Sequence, residues 1–197
     1  MSRDSSVYNV LCFTTNNTSF KPLSVLEKYA ISSGYDQKKI VRLEPLEFYY
    51  KINSKEVLVS FHQIINLTQG KLDICYFAES YLILIDLEME NTYQNLSEII
   101  NFMNNLCDSE KTVFILGLYS NAKNIKDNLN EGNVVEFLDK KKLIYEYFEA
   151  NIGITNDFNK TIDFIIEEGI KKVQRKLKDG ELTNKSDSQS KSRCNIF

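Results

Sequence analysis

Two spacings of apolar residues alternate along the chain. Short runs at residues 7–13, 46–52, 56–61, 81–87, 112–118 and 143–148 read as strands; in 56–61 Val57, Val59 and Phe61 fall on one face. YLILIDL (81–87) and TVFILGL (112–118) are nearly continuous in apolar residues, the pattern of strands covered on both faces of a parallel sheet. Between them the period lengthens. Leu23, Leu26, Tyr29 and Ala30 predict a first short helix; Leu96, Ile99, Ile100, Met103 and Leu106 a second; Phe158, Ile162, Ile165, Ile166, Ile170 and Val173 a longer one. Thr92 and Asp157 stand where N-caps for the last two belong. A turn at Asn53, Ser54 and Lys55 makes one strand pair a hairpin. Together these elements predict an α/β fold: a mostly parallel six-stranded sheet with one antiparallel edge strand.

After about Leu177 the periodicity stops. KDGELTNKSDSQSKSR is polar and serine-rich, so the expected organisation is a folded domain over 1–178 and a disordered basic tail over 179–197. The net charge of −3 conceals an asymmetry: residues 171–197 carry eight Lys or Arg against three acids, about +5, and the rest of the chain about −8. An acidic body argues against nucleic acid as a partner, since phosphate neutralisation needs clustered cations. Four scattered cysteines and a single histidine, His62, speak against structural zinc, a disulfide framework or a Cys/His nucleophile pair. Neither a signal peptide nor a run of 18 apolar residues is present, so the expected location is the cytoplasm.

The last four residues, CNIF, fit the CaaX prenylation pattern, with the terminal Phe pointing to geranylgeranyl. The implied partners are a prenyltransferase acting on Cys194 and the cytoplasmic face of a membrane, where the protein would sit peripherally. One lipid chain holds a protein only reversibly. Lys185, Lys191 and Arg193 supply the second signal, each adding about 1 kcal/mol beside an anionic leaflet. Phosphorylation at Ser188, Ser190 or Ser192 would weaken that hold.

Two stretches carry a family resemblance. ILIDLEMENTYQNLSEII (83–100) is similar to the Rab stretch in which a strand ends YDVT and the next helix opens SFxN, with Asp86, Thr92, Tyr93, Asn95 and Leu96 in corresponding places. YFEANIGITNDFNKTIDFI (147–165) parallels the Rab strand ending FFETSAK and its following helix. Over residues 7–177 the chain thus resembles the Ras superfamily of small GTPases, most closely its Rab branch. The resemblance implies a three-layer P-loop NTPase-like fold with about five helices.

The family's nucleotide-binding positions are all altered. In the loop VLCFTTNNTSFKP, the places of the phosphate loop's Gly, Gly, Lys and Ser fall to Phe13, Thr18, Ser19 and Phe20; the nearby Lys21 fits only in a shifted register, and the first glycine of the chain is Gly34. Thr18 or Ser19 is expected to cap the first helix. The DxxG sensor reads Gln63, Ile64, Ile65, Asn66, with Leu67 where a water-positioning Gln belongs and Gln69 nearby; LEPLEF (43–48) offers no magnesium-binding threonine; NKxD becomes Leu118, Tyr119, Ser120, Asn121; and the SAK loop reads Asn151, Ile152, Gly153. The expectation is a pseudo-GTPase with no catalytic residue, cofactor or metal, in which Thr18, Ser19, Lys21 and Asn121 are vestiges. It would be a binding module for an effector-type partner in membrane traffic or signalling, with Phe48, Tyr49, Tyr50, Tyr76 and Phe77 as aromatic anchors. The alternative is a divergent GTPase that still binds GTP, GDP and Mg through loop amides and Lys21. A response-regulator-like module would need an acidic pair after its first strand, and Asp86 alone does not supply one.

Overall fold

A computed structural model of the chain describes residues 7–14, 18, 20–35, 45–64, 78–106, 111–141 and 144–191, with backbone only for Pro22, 105–106 and 176–191. Six strands form one sheet: β1 (Val7–Thr14), β2 (Leu46–Ile52), β3 (Lys55–Ile64), β4 (Ser80–Asp86), β5 (Thr112–Tyr119) and β6 (Tyr145–Asn151), in the order β2-β3-β1-β4-β5-β6. Only the β2–β3 pair is antiparallel; the other four pairs run parallel. Four helices lie among the described residues: α1 (Pro22–Ser32), α2 (Thr92–Leu106), α3 (Glu131–Lys140) and α4 (Thr155–Lys191).

Period-two alternation sorts each central strand between two cores. Tyr8, Val10 and Cys12 of β1, Leu82 and Leu84 of β4, and Phe114 and Leu116 of β5 face α1 and α4, where Leu26, Tyr29, Phe158, Ile162, Ile166 and Ile170 meet them. Leu11 and Phe13, Ile83 and Ile85, and Val113 and Ile115 face α2 and α3, meeting Leu96, Ile99, Ile100, Met103, Val134 and Leu138. Both faces are covered, so β4 has no exposed position. At about 1.5–3 kcal/mol per buried aliphatic or aromatic side chain, these two layers supply most of the drive to fold.

The hairpin between β2 and β3 closes through Asn53 (φ 48°) and Ser54 (φ 64°), with Ile52 opposite Lys55. Two successive positive φ values are what a two-residue type I′ turn demands, and its twist matches that of the strands.

Several expectations need correction. Helix α1 is not capped by Thr18, whose hydroxyl donates to the Phe20 carbonyl at 2.5 Å; Ser19 lies outside the described residues. The N-cap is Lys21, with no side-chain cap, and Pro22 follows it at a position whose missing N–H costs nothing. Thr92 is the first residue of α2, and its buried hydroxyl donates to the carbonyls of Asp86 and Met89 instead of accepting from the helix. Asp157 sits inside the first turn of α4, where its charge complements the helix dipole without capping it. Strand β6 starts two residues later than the apolar run implies and ends at Asn151. The aromatic run of β2 is mostly core: Phe48 and Tyr50 are buried, because alternation turns them inward, and only Tyr49 faces solvent. Tyr76 and Phe77 lie outside the described residues. The backbone of α4 runs to Lys191.

Candidate functional site

The parallel strands end together at one edge of the sheet. From β1 the chain crosses to β2 and β3 on one side and then reaches β4 on the other, so the carboxyl end of β1 adjoins the crevice where open α/β sheets usually take ligands. Among the described residues this edge is built by part of the β1–α1 loop and by the segments that follow β4, β5 and β6.

Of the β1–α1 loop, Thr18, Phe20 and Lys21 are described. Lys21 is exposed at the start of α1, in extended conformation (φ −91°, ψ 124°). No acidic residue occupies the first turn of α1.

The segment after β4 is tied to the one after β5 by Glu88. Its Oε1 accepts from the Ser120 N–H (2.9 Å), the Asn121 N–H (2.8 Å) and the Ser120 hydroxyl (2.9 Å); its Oε2 lies 3.0 Å from that hydroxyl. Burial raises the Glu88 carboxyl, but the hydrogen bonds from Asn121 and Ser120 together outweigh it and leave it below the usual carboxylate range. Glu88 is itself placed by Asp86, whose Oδ1 accepts from the Glu88 N–H at 3.0 Å. Asn121 is equally committed: its Oδ1 accepts from the Lys123 N–H at 3.0 Å and caps a short 3-10 turn, Ala122–Asn124. Backbone bonds from Leu87 N–H to Leu118 O (2.9 Å) and from Ile152 N–H to Tyr119 O (2.9 Å) carry the edge across to β6. There the Gly153 N–H donates to Asn151 Oδ1 at 2.8 Å, closing a local turn.

Of the residues singled out in the sequence, Lys21 and Asn121 thus reach the same edge of the sheet, whereas Thr18 closes on its own loop. Ser19, Arg193 and Cys194 lie outside the described residues; Lys185 and Lys191 fall on the C-terminal part of the α4 backbone. His62 is on β3, its Nε2 3.0 Å from Ser60 Oγ and 3.4 Å from Asn9 Oδ1. Cys12 is fully buried and its thiol is pushed well above its usual range by desolvation, which removes it as a nucleophile. Among the described residues no cluster of three His, Cys, Asp or Glu could hold a metal, and no helix is long and apolar enough to cross a membrane.

Sequence reasoning missed Glu88. The signal was faint: acids at 86, 88 and 90 after a buried strand, with the partners of Glu88 32 and 33 residues further on. Such an edge can present backbone and amide groups to a partner, yet its carboxylate and its amide oxygen are already engaged internally. No family model matches the sequence, and no curated protein does either.

Proposed function

We propose that the protein is a Rab/Ras-like pseudo-GTPase: a P-loop NTPase-like, small-GTPase-type scaffold that acts as a membrane-associated binding module in traffic or signalling and does not turn nucleotide over. The strand order β2-β3-β1-β4-β5-β6 with its single antiparallel edge pair supports the scaffold. The observation that carries the functional half is Glu88. Where the resemblance expects a carboxylate that reads guanine, the loop offers Asn121, with its acceptor oxygen spent on Lys123, and beneath it a carboxylate sealed by the N–H groups of Ser120 and Asn121. Reading a base with Asn121 would require breaking its cap on the Lys123 N–H, worth about 0.5–1.5 kcal/mol, and freeing Glu88 would break its charge-assisted bonds as well. The proposed anchor is a prenyl group on Cys194, supported by the CNIF sequence and the basic residues before it.

One observation favours the alternative of a divergent, active GTPase: Lys21 stands exposed at the start of α1, as a phosphate-binding cation would. Thermal denaturation with magnesium and GTP separates the two, because a ligand that binds only the folded state must raise Tm. The pseudo-GTPase reading expects no shift at millimolar Mg-GTP or Mg-GDP and no nucleotide in native mass spectra of the purified protein. Stoichiometric nucleotide, or a saturable shift, overturns it. The same spectra report the mass of any lipid on Cys194.

A further inference from the structure

Between α1 and the start of α4 lies a groove of about 530 Å³. Lys21, Ser24, Lys28, Ile31 and Ser32 follow one another at helical spacing along one face of α1; Thr155, Phe158 and Asn159 form one face of α4. Its floor is apolar: Val25 and Phe158 are nearly closed off, at 6% and 4% exposure, and Phe20 and Ile152 pack beside them. Ile31 extends that surface to the rim, 36% exposed.

The polar groups divide in two. At one end Asn159 Nδ2 donates to Ser32 Oγ at 2.9 Å, so that end is satisfied within the protein. Along the rest stand Lys21 and Lys28, both exposed, and among the described residues no ion pair engages either. Among the described residues no aspartate or glutamate lines the groove, although the chain has 27 of them and its body carries about −8. An acid-free basic rim on an acidic body focuses anions at that rim.

From this combination we infer that the α1–α4 groove binds a long-chain fatty acid, its alkyl chain along Val25, Ile31, Ile152 and Phe158 and its carboxylate between Lys21 and Lys28. The volume lies within the roughly 300–1,000 Å³ of small-molecule sites and suits one alkyl chain. A nucleobase fits poorly, because the floor is apolar and the amide that could read it, Asn159, is tied to Ser32. The described end of α4 at Lys191 lies roughly 54 Å along the helix from Thr155 at the groove. The groove shares Lys21 with the sheet edge, so a nucleotide held there through Lys21 would compete for one of its two lysines.

The experiment titrates the full-length protein with octanoate, laurate, palmitate and hexadecanol, reading displacement of a fluorescent fatty-acid probe and the shift in Tm. Affinity should rise with chain length, because each added methylene leaves water. Palmitate should bind more tightly than hexadecanol, and the double variant Lys21→Ala/Lys28→Ala should lose about tenfold in palmitate affinity while hexadecanol is unchanged. Ser24→Trp, at an exposed rim position that tolerates bulk, should block both ligands. Absence of saturable palmitate binding overturns the inference, as does equal binding by the double-lysine variant or by Ser24→Trp. Displacement of the probe by inorganic phosphate or GTP overturns it too, by marking the groove as a phosphate site.

Discussion

Replacing Gly169 with alanine tests whether the packing of α4 on the sheet is as close as it stands. Gly169 lies inside α4, where alanine ordinarily gains about 1 kcal/mol over glycine. A Cβ built there would sit 1.7 Å from the Tyr8 hydroxyl oxygen and 2.6 Å from its Cζ. Tyr8 is rigid, 3% exposed and set in a central strand, and its hydroxyl donates to the buried Ser80 hydroxyl at 2.6 Å. Two responses are open. Either the Tyr8 ring moves and the Ser80 bond is lost, or α4 lifts and loosens Ile165, Ile166 and Ile170 from the sheet. Overpacking costs about 1–3 kcal/mol and a broken buried hydrogen bond about 1–3 more. Against a propensity gain of about 1 kcal/mol, the net loss centres near 3 kcal/mol, or about 6–12 °C in Tm for a chain of this length.

The assay is urea or thermal denaturation of the variant beside a control with the same chemistry. Gly132, in the first turn of α3, has nothing nearer to a built Cβ than Asn130 Oδ1 at 3.5 Å, so Gly132→Ala should be neutral or stabilising. In the Gly169→Ala background, Tyr8→Phe should cost about 1–2 kcal/mol less than in wild type, because the bond to Ser80 is already gone. Rescue stays partial, since Cζ remains too close. If Gly169→Ala melts at or above wild type, or matches Gly132→Ala, the contact is looser than described and the reasoning fails.

Two carboxylates should titrate with opposite sign. Glu88, held below the usual range, contributes stability that is present above its unfolded-state value near pH 4 and lost as pH falls through its lower folded value; Glu88→Gln should therefore be less stable than wild type at neutral pH and converge with it in acid. Glu149 is raised, chiefly by desolvation and also by Glu131, the Tyr147 hydroxyl opposing them, so folding disfavours its charge and Glu149→Gln should be more stable than wild type at neutral pH, the gain fading as pH falls. Melting curves from pH 3 to 7 read both. Ser54→Gly should raise stability by about 0.5–1 kcal/mol, because Ser54 holds φ 64° without glycine's freedom; an unchanged urea midpoint would refute this.

The parts legible in the sequence were those in which one period dominates a long run. YLILIDL and TVFILGL could hardly be anything but central strands, and the stripes of α2 and α4 bury Leu96, Ile99, Ile100 and Met103 and Phe158, Ile162, Ile165, Ile166 and Ile170. Helix α3 went unseen because only Val134 and Leu138 of its ten residues are buried, in a segment opened by EGN; its start is marked by the Asn130 side chain accepting from the Asn133 N–H, a cap that composition does not advertise. The opposite error befell β2, where three adjacent aromatics suggest a surface patch while alternation buries two of them. At the sheet edge, alignment of positions located Asn121 but not Glu88, because what decides the chemistry of that loop is a bond between segments more than thirty residues apart.

The glycines join fold to function. A phosphate cradle needs glycine directly after the first strand, so that successive N–H groups turn inward, and residues 15–33 contain none. Two of its glycines lie instead against tyrosine. Gly169 admits the Tyr8 hydroxyl, and Gly117, on β5, admits that of Tyr147, with a built Cβ 2.7 Å from it and 2.9 Å from a Leu87 methyl. Leu87 heads the segment carrying Glu88, and the Leu87 N–H binds the carbonyl of Leu118, next to Gly117. The small residue in β5 therefore lets the post-β4 segment lie close enough for Glu88 to seal the loop at Ser120 and Asn121. Substituting Gly117 with alanine would push Leu87 or Tyr147 away and so reach the Glu88 bonds, linking strand packing directly to the closed state of the edge. On the proposed pseudo-GTPase reading, a loop tied in this way would present one fixed surface rather than open around a base in each cycle of turnover.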